Sequence, residues 1–179
     1  MTYYEDLTFF QYTQSDWVFE NGFPYFLLNI GWLDNSHPYS QENYDNIEKE
    51  VLLLCIFNYC MYRVNLTSGH HTCNLCQKEY GRILNVHRKG KDITLGNGEI
   101  FVKGRNNIVY VAPTLIYHYI ETHNYKPPRE FVDAVTADTT KENFSFFKDM
   151  ETQVQYNRET AQKQKENIDL NPLRFLLGD

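Results

Sequence analysis

The 179-residue sequence has few of the features that mark exported or membrane proteins. Its longest apolar run, residues 51–57, is far shorter than the roughly 18 residues that span a bilayer. The first residues lack the basic and apolar stretches of a secretory signal, and we therefore expect a cytoplasmic protein that makes no membrane contact. Only four cysteines are present, and in a reducing compartment we expect thiols or metal ligands rather than disulfides.

Several common catalytic motifs are also missing. The sequence has no glycine-rich phosphate loop, no Gly-x-Ser-x-Gly elbow and no His-Glu-x₂-His pair. The net charge of −6 argues against non-specific DNA binding as the main activity. Lys and Arg residues do cluster between Arg82 and Arg105, where a solvated face is the simpler interpretation. Nucleic-acid binding therefore stays open only as a third alternative.

The apolar pattern predicts three helices. Hydrophobic residues make up 42% of the chain, which is enough for a globular core. Apolar residues recur at helical spacing over residues 43–62, and Pro113 opens a second helix that runs to about residue 123. A third, short helix is predicted over residues 129–137.

Runs of β-branched and aromatic residues predict five strands, at residues 7–12, 26–32, 82–86, 99–103 and 108–112. Glycine and asparagine turns separate the last three strands, which is typical of an antiparallel meander. We therefore predict an α+β fold in which an antiparallel β-meander packs on helices. The expected organisation is a single domain over residues 1–139, followed by a polar helical C-terminal extension over residues 140–179.

The strongest chemical signal is a pair of cysteines followed by a pair of histidines, Cys73-x₂-Cys76 and His118-x₄-His123. A Cys-x₂-Cys turn places two thiolates where both reach one tetrahedral ion. Residues five apart on a regular helix diverge by about 140°, so the two imidazoles converge only if the helix loosens at its end. Asn124 supplies such an ending. Mixed thiolate and imidazole ligation is characteristic of Zn²⁺, and we therefore predict that residues 1–139 form a zinc-binding domain.

A second ligand set is left open by His71, which lies two residues before Cys73. His71 could replace either downstream histidine as a metal ligand. A site with only three protein ligands keeps a position for water, which is the arrangement of catalytic zinc. In that case His71 or Glu99 is the candidate general base, and the protein is a zinc-dependent hydrolase.

The N-terminal third carries a candidate binding surface. Residues 1–50 hold nine acidic residues and only one lysine, a balance of −8 that suits a basic protein partner. Tyr and Trp, which interfaces favour, are frequent in the same segment. The candidate surface consists of Trp32, Asp34, His37 and Tyr39, in which an Asp three residues before a His can orient the imidazole.

Several of these stretches resemble a known family. The similar segments include the motifs Gly-Trp-Leu-Asp-x₂-His-Pro-Tyr, Gly-x-His-x-Cys-x₂-Cys and Ala-Pro-x-Leu-Ile-Tyr-His-Tyr-Ile-x₂-His-x-Tyr-x-Pro-Pro. In their order along the chain, the motifs resemble a family of small uncharacterised bacterial proteins, over roughly residues 2–136. The family has no established activity, so the resemblance implies no reaction.

Two main hypotheses about function follow. In the first, the protein is not an enzyme: a structural zinc site stabilises it, and it acts through protein–protein interaction. Its size also suits a protein that neutralises a toxin, as an immunity protein does, although this is an analogy only. The second is the zinc-dependent hydrolase with an open coordination position. The missing catalytic motifs favour the first hypothesis.

Overall fold

The computed structural model describes residues 2–10, 26–76, 81–106 and 108–137 of the chain. Three helices lie within these residues, as predicted: α1 (Asn46–Cys60), α2 (Ile116–His123) and α3 (Arg129–Ala137). Helix α1 begins after Asp45, whose carboxylate accepts hydrogen bonds from the backbone N–H groups of Ile47 and Glu48. This cap explains why the helix begins at residue 46 rather than at residue 43.

The described residues form five strands: β1 (Phe26–Asn29), β2 (Asn85–Arg88), β3 (Lys91–Thr94), β4 (Glu99–Lys103) and β5 (Ile108–Pro113). Strand β5 is central in a three-stranded sheet with the order β1-β5-β4. Strands β4 and β5 are antiparallel, as predicted, with Ile100 opposite Ala112. Strand β1 is parallel to β5, with Leu27 opposite Val109, so the sheet is mixed.

The first strand of the predicted meander has a different partner. Strand β2 pairs with β3 in a separate two-stranded sheet and does not extend the β4–β5 pair. The two residues between β2 and β3, Lys89 and Gly90, have positive φ angles of 49° and 72°. Such residues form the tight turn that closes a hairpin, so β2 pairs with its immediate neighbour. The α+β class, with antiparallel strand pairs packed with helices, is confirmed.

Residues 2–10 lie beside β1 without forming a regular strand. Of the strand predicted over residues 7–12, residues 7–10 contribute an isolated bridge between Phe9 and Leu28, and residues 11–12 lie outside the described part. Asp6 ties this segment to the core, because it accepts the N–H of Gly31 at 2.8 Å and the hydroxyl of Tyr125 at 2.7 Å. Burial raises the pKa of the Asp6 carboxyl, although both hydrogen bonds lower it.

One hydrophobic core joins the three-stranded sheet to the helices. Helix α1 contacts α2, α3 and β4. Each of these elements and β5 contributes fully buried apolar side chains, among them Ile56, Ile100, Val109, Ile120 and Phe131. Burying one such side chain stabilises the fold by about 1.5–3 kcal/mol relative to leaving it exposed. Because α2 is part of this core, the histidines that it carries are held in fixed positions.

None of the described helices is both long enough and apolar enough to cross a membrane. The predicted extension over residues 140–179 lies outside the described residues.

Candidate metal centre

Two of the four predicted ligands lie in a short loop, residues 71–76, which we call the knuckle. The backbone N–H of His71 donates to the carbonyl of Gly96 at 2.7 Å, and the N–H of Gly96 donates to the hydroxyl of Thr114 at 2.8 Å. Gly96 has a φ of +87°, and a Cβ there would clash with the carbonyl oxygen of His71. Glycine therefore allows the knuckle to lie close to the segment that joins β3 to β4.

The thiol of Cys73 is buried within the knuckle. The residue is 3% exposed, and its sulfur accepts the backbone N–H groups of Leu75 and Cys76. Burial raises the pKa of the Cys73 thiol to about 11, although the two N–H groups lower it. The N–H groups stabilise the thiolate, which is the form that binds metal. A cation close to the sulfur would offset the cost of burying that negative charge.

Helix α2 supplies the two histidines, and it ends as the sequence predicts. Asn124 adopts a left-handed conformation, with a φ of 53°, and its backbone N–H donates to the carbonyl of Tyr119. Its side chain accepts a hydrogen bond from Lys49 of α1 at 2.9 Å. This ending turns His123 toward His118, and the two imidazole rings lie 5.0 Å apart with an angle of 81° between their planes.

A hydroxyl group orients His118. Its Nδ1 lies 3.2 Å from Oγ1 of Thr122, one turn further along α2. With Nδ1 engaged in this way, Nε2 faces the cysteines. Partners of this kind fix the ring orientation of histidine ligands in metal sites.

The ligand atoms of the four residues converge on one point. All four lie within 4.8 Å of one another. Cys73 Sγ lies 3.4 Å from His123 Nε2, while Cys76 Sγ lies 3.1 Å from His118 Nε2 and 3.3 Å from His123 Nε2. In a tetrahedral zinc site with bonds of about 2.0–2.3 Å, ligand atoms are roughly 3.3–3.8 Å apart. The structure therefore brings the four predicted ligands together in a cluster that can hold a metal ion.

Tyr119 is a neighbour of the cluster that the sequence analysis missed. The residue is fully buried, and its ring centre lies 6.2 Å from that of His118 and 6.4 Å from that of His123. Its hydroxyl has no hydrogen-bond partner among the described residues. Burial raises the pKa of this phenol, and the nearby cysteines raise it further. The only sequence signal for this position is its place beside His118.

His71, the alternative ligand, does not join the cluster. His71 instead lines a cleft beside the knuckle, which we call the Glu99 cleft. The residues that line this cleft are Trp32, Asn65, Thr67, His71, Gly96, Gly98, Glu99 and Pro113. Burial lowers the pKa of His71. The two candidate bases, His71 and Glu99, therefore line the same cleft, and neither belongs to the four-residue cluster.

One residue of the predicted binding surface, Trp32, does not lie on the surface of the protein. Trp32 is only 2% exposed, and its indole N–H donates to the carbonyl of Val111 at 3.1 Å, so it belongs to the core rather than to an exposed face. Burial of the large apolar ring stabilises the fold once the single N–H of the indole is hydrogen-bonded. Composition alone does not reveal that the N–H has such a partner.

The other three residues of this surface lie outside the core. Asp34 Oδ1 is 2.8 Å from Nδ1 of His37, and Tyr3 stacks on the His37 ring at 3.9 Å. Partial burial raises the pKa of Asp34, but hydrogen bonds from His37 and Ser36 outweigh it and lower the pKa. Tyr39 is half-buried and packs its ring edge against Tyr125. Their role as a binding surface stays a prediction.

Comparison with known proteins identifies a family. The sequence profile of the family described as "Domain of unknown function (DUF7919)" matches residues 2–136, and the chain belongs to this family. The resemblance to a family without an assigned activity is thus confirmed, whereas the bacterial source stays a prediction. No curated protein and no solved structure matches the chain.

Proposed function

We propose that the cluster of Cys73, Cys76, His118 and His123 binds one Zn²⁺ as a structural site, and that the domain acts by binding another protein rather than by catalysis. The observation that carries the proposal is the convergence of four ligand atoms, from two separate segments, within 4.8 Å of one another. Four protein ligands complete a tetrahedral shell and leave no position for a reacting water.

Zinc is the metal that best fits these ligands. Two thiolates and two imidazoles disfavour Mg²⁺ and Ca²⁺, which prefer oxygen ligands, and a tetrahedral set of two sulfurs and two nitrogens is typical of zinc. The spacings of 3.1–3.4 Å between sulfur and nitrogen are close to those of such a site. The backbone N–H groups at Cys73 and the hydroxyl beside His118 also suit bound ligands.

The ion would join two parts of the chain that are distant in sequence. The knuckle is anchored at Gly96, whereas His118 and His123 belong to a helix packed in the core. Structural zinc contributes about 10–16 kcal/mol of apparent binding free energy in finger peptides, and here that energy would act on a domain that has its own core. We therefore expect zinc to hold the knuckle in place more than to cause folding of the whole domain.

The proposed partner is a basic protein. The acidic balance of −8 over residues 1–50 supports it, as does the exposed pair of Asp34 and His37. Complementary charge would speed association and make it sensitive to salt. A toxin neutralised by an immunity-like protein is one partner of this kind, proposed by analogy of size. Binding should weaken as ionic strength rises, and a complex that is insensitive to salt would contradict the acidic surface.

A zinc-dependent hydrolase is the alternative. It is supported by the Glu99 cleft, where His71 and Glu99 lie together. It requires that one of the four ligands leave the metal so that water can bind. Cobalt substitution separates the two proposals, because the visible spectrum of Co²⁺ distinguishes a four-coordinate shell of two sulfurs and two nitrogens from a shell that contains water.

The zinc site is tested by a pair of matched variants. Cys76→Ser should abolish binding of one zinc per chain, whereas Cys55→Ser should not, because Cys55 is a half-buried thiol of α1 outside the cluster. At free zinc 1,000-fold above its dissociation constant, the loss of stabilisation is about 4 kcal/mol. Metal analysis and thermal unfolding measure both effects. Retention of stoichiometric zinc by Cys76→Ser would exclude the proposed ligand set.

A further inference from the structure

Helix α1 has an apolar side that is not buried in the core. Every residue from Val51 to Phe57 is apolar, and a helix that is apolar all round is normally buried on every side. The inner side of α1 follows this rule, since Leu52, Leu53 and Ile56 are buried. On the opposite side, however, Ile47 is 75% exposed and Val51 is 49% exposed.

The exposed residues belong to one continuous strip. Residues spaced by three or four positions lie on the same side of a helix, and we call the strip of Ile47, Val51, Leu54 and Cys55 the outer face. Leu54 and Cys55 are half-buried, so the outer face is most exposed toward the start of α1. Exposed apolar strips of this kind mark sites of protein interaction.

Opposite charges lie at the two ends of the outer face. Glu48 is exposed beside Ile47 at the start of α1. At the other end, the turn between β2 and β3 lies against α1, because Arg88 donates to both carboxylate oxygens of Glu50 at 3.0 and 3.1 Å. Burial raises the pKa of the Cys55 thiol, whereas the positive charge of Lys89 in this turn lowers it, so Lys89 lies near Cys55.

Both of these end charges are available to a partner. Within the described part of the chain, neither Glu48 nor Lys89 forms an ion pair, and both are exposed. A strip with an acid at one end and a base at the other is complementary to a second copy of itself in the reversed direction.

The spacing of the residues agrees with such a reversed copy. Ile47 and Cys55 each lie four residues from Val51, or about 6 Å along the helix axis. Two antiparallel copies of α1 centred on Val51 therefore bring Ile47 of one chain level with Cys55 of the other. The same arrangement brings Glu48 of each chain toward Lys89 of the other. A parallel pair would instead place Glu48 opposite Glu48.

We propose that the outer face of α1 binds a second copy of this chain, in a symmetric dimer whose α1 helices pack antiparallel about Val51. This proposal goes beyond the proposed function, because it requires neither the metal nor the basic partner. A contact made by one helix and one turn is small compared with the roughly 800 Å² per partner of a standard interface, so the dimer should be reversible.

The first test measures the mass of the zinc-loaded full chain by sedimentation equilibrium. We expect a reversible dimer of the 21.3 kDa chain. Ile47→Glu should weaken dimerisation at least about tenfold, because it buries an unpaired charge in the apolar contact. A chain that stays monomeric up to its solubility limit would overturn the proposal and leave a different protein as the occupant of the outer face.

Phe9→Glu is the matched control for Ile47→Glu. Phe9 is 60% exposed and lies beside β1, whereas α1 contacts β4 at the opposite edge of the sheet. The control should therefore leave dimerisation unchanged, and circular dichroism should show that both variants are folded. Equal weakening by the two variants would show that the outer face is not the interface.

A second test exchanges the charges at the ends of the outer face. Glu48→Lys alone and Lys89→Glu alone each place like charges at both contacts of the dimer, so each should dimerise about tenfold more weakly at low salt. When the two variants are mixed, with one of them isotope-labelled, opposite charges face each other again at both contacts. The mixed dimer should regain the affinity of the wild type. A mixed dimer no tighter than either variant alone would contradict the antiparallel arrangement.

A third test places a thiol on the two-fold axis. In a Cys55→Ser background with zinc bound, Val51→Cys should form a disulfide-linked dimer in oxidised glutathione, because the two copies of residue 51 meet at the axis. Tyr62→Cys is the control, since residue 62 is also exposed but its two copies would lie about 33 Å apart along the helices. Cross-linking through residue 62 but not through residue 51 would overturn the proposed register.

Discussion

Adding a single methyl group at Gly96 is expected to separate the knuckle from the rest of the domain. The Cβ of Gly96→Ala would lie about 1 Å inside the 3.0 Å that real Cβ atoms keep from other atoms, and it would meet the backbone carbonyl of His71 rather than a flexible side chain. A shift of that size would lengthen the 2.7 Å hydrogen bond between His71 and Gly96 beyond the range of such bonds. Cys73 and Cys76 follow in the same loop, so they would move away from the histidines.

The expected cost has two parts. A residue other than glycine at a φ of +87° is strained by about 1–2 kcal/mol, and loss of a buried hydrogen bond adds about 1–3 kcal/mol. Gly90→Ala is the matched control, because Gly90 has a φ of +72° but open space around it. This variant therefore has the backbone strain of a positive φ without a steric clash. Urea unfolding and zinc competition with a chelator measure stability and metal affinity. If Gly96→Ala loses no more stability and no more zinc affinity than Gly90→Ala, the knuckle does not depend on this contact.

Three further predictions concern the ends of the helices and the N-terminal segment. Asn124→Ala and Asn106→Ala should each cost about 1–2 kcal/mol in urea unfolding, because both positions have a φ of 53°, but only Asn124→Ala should also weaken zinc binding through the displaced His123. Asp45→Ala should cost about 0.5–2 kcal/mol through loss of the α1 cap and leave zinc content unchanged; a loss of zinc would show that α1 supports the site. The raised pKa of Asp6 means that the fold favours its protonated form, a contribution complete below the unfolded value of 3.8 and lost as pH rises through the folded value. The stability of the wild type relative to Asp6→Asn should therefore fall as pH rises above 3.8, and a relative stability that rises with pH would contradict the sign of the shift.

The metal cluster could be predicted from the sequence because its geometry is local at both ends. The two-residue spacing between Cys73 and Cys76 fixes a tight turn, and the ending of α2 at Asn124 brings His123 back toward His118. The long segment between the two pairs does not matter, since loop-closure entropy rises only slowly with length. His71 could not be excluded in this way, because the position of its backbone depends on a hydrogen bond to Gly96, a contact between segments distant in sequence.

The strand pairing was predicted only where it is local. The β4–β5 pair is an antiparallel neighbour contact, whereas β1 joins β5 in parallel from a distant part of the chain. The hydrophobic periodicity and the turn residues of a sequence do not indicate which distant strand will pair with a given strand. The burial of Trp32 was missed for a related reason. A tryptophan with one N–H suits either an interface or a core, and only the carbonyl of Val111 decides between them.

X-ray absorption at the zinc edge of the full-length protein tests the four-ligand site most directly. We predict a first shell of two sulfurs at about 2.3 Å and two nitrogens at about 2.0–2.1 Å, from Cys73, Cys76, His118 and His123. The same shell should persist in Cys55→Ser and lose one sulfur or the metal itself in Cys76→Ser. A shell with a single sulfur, or with an oxygen ligand in place of one imidazole, would contradict the closed structural site.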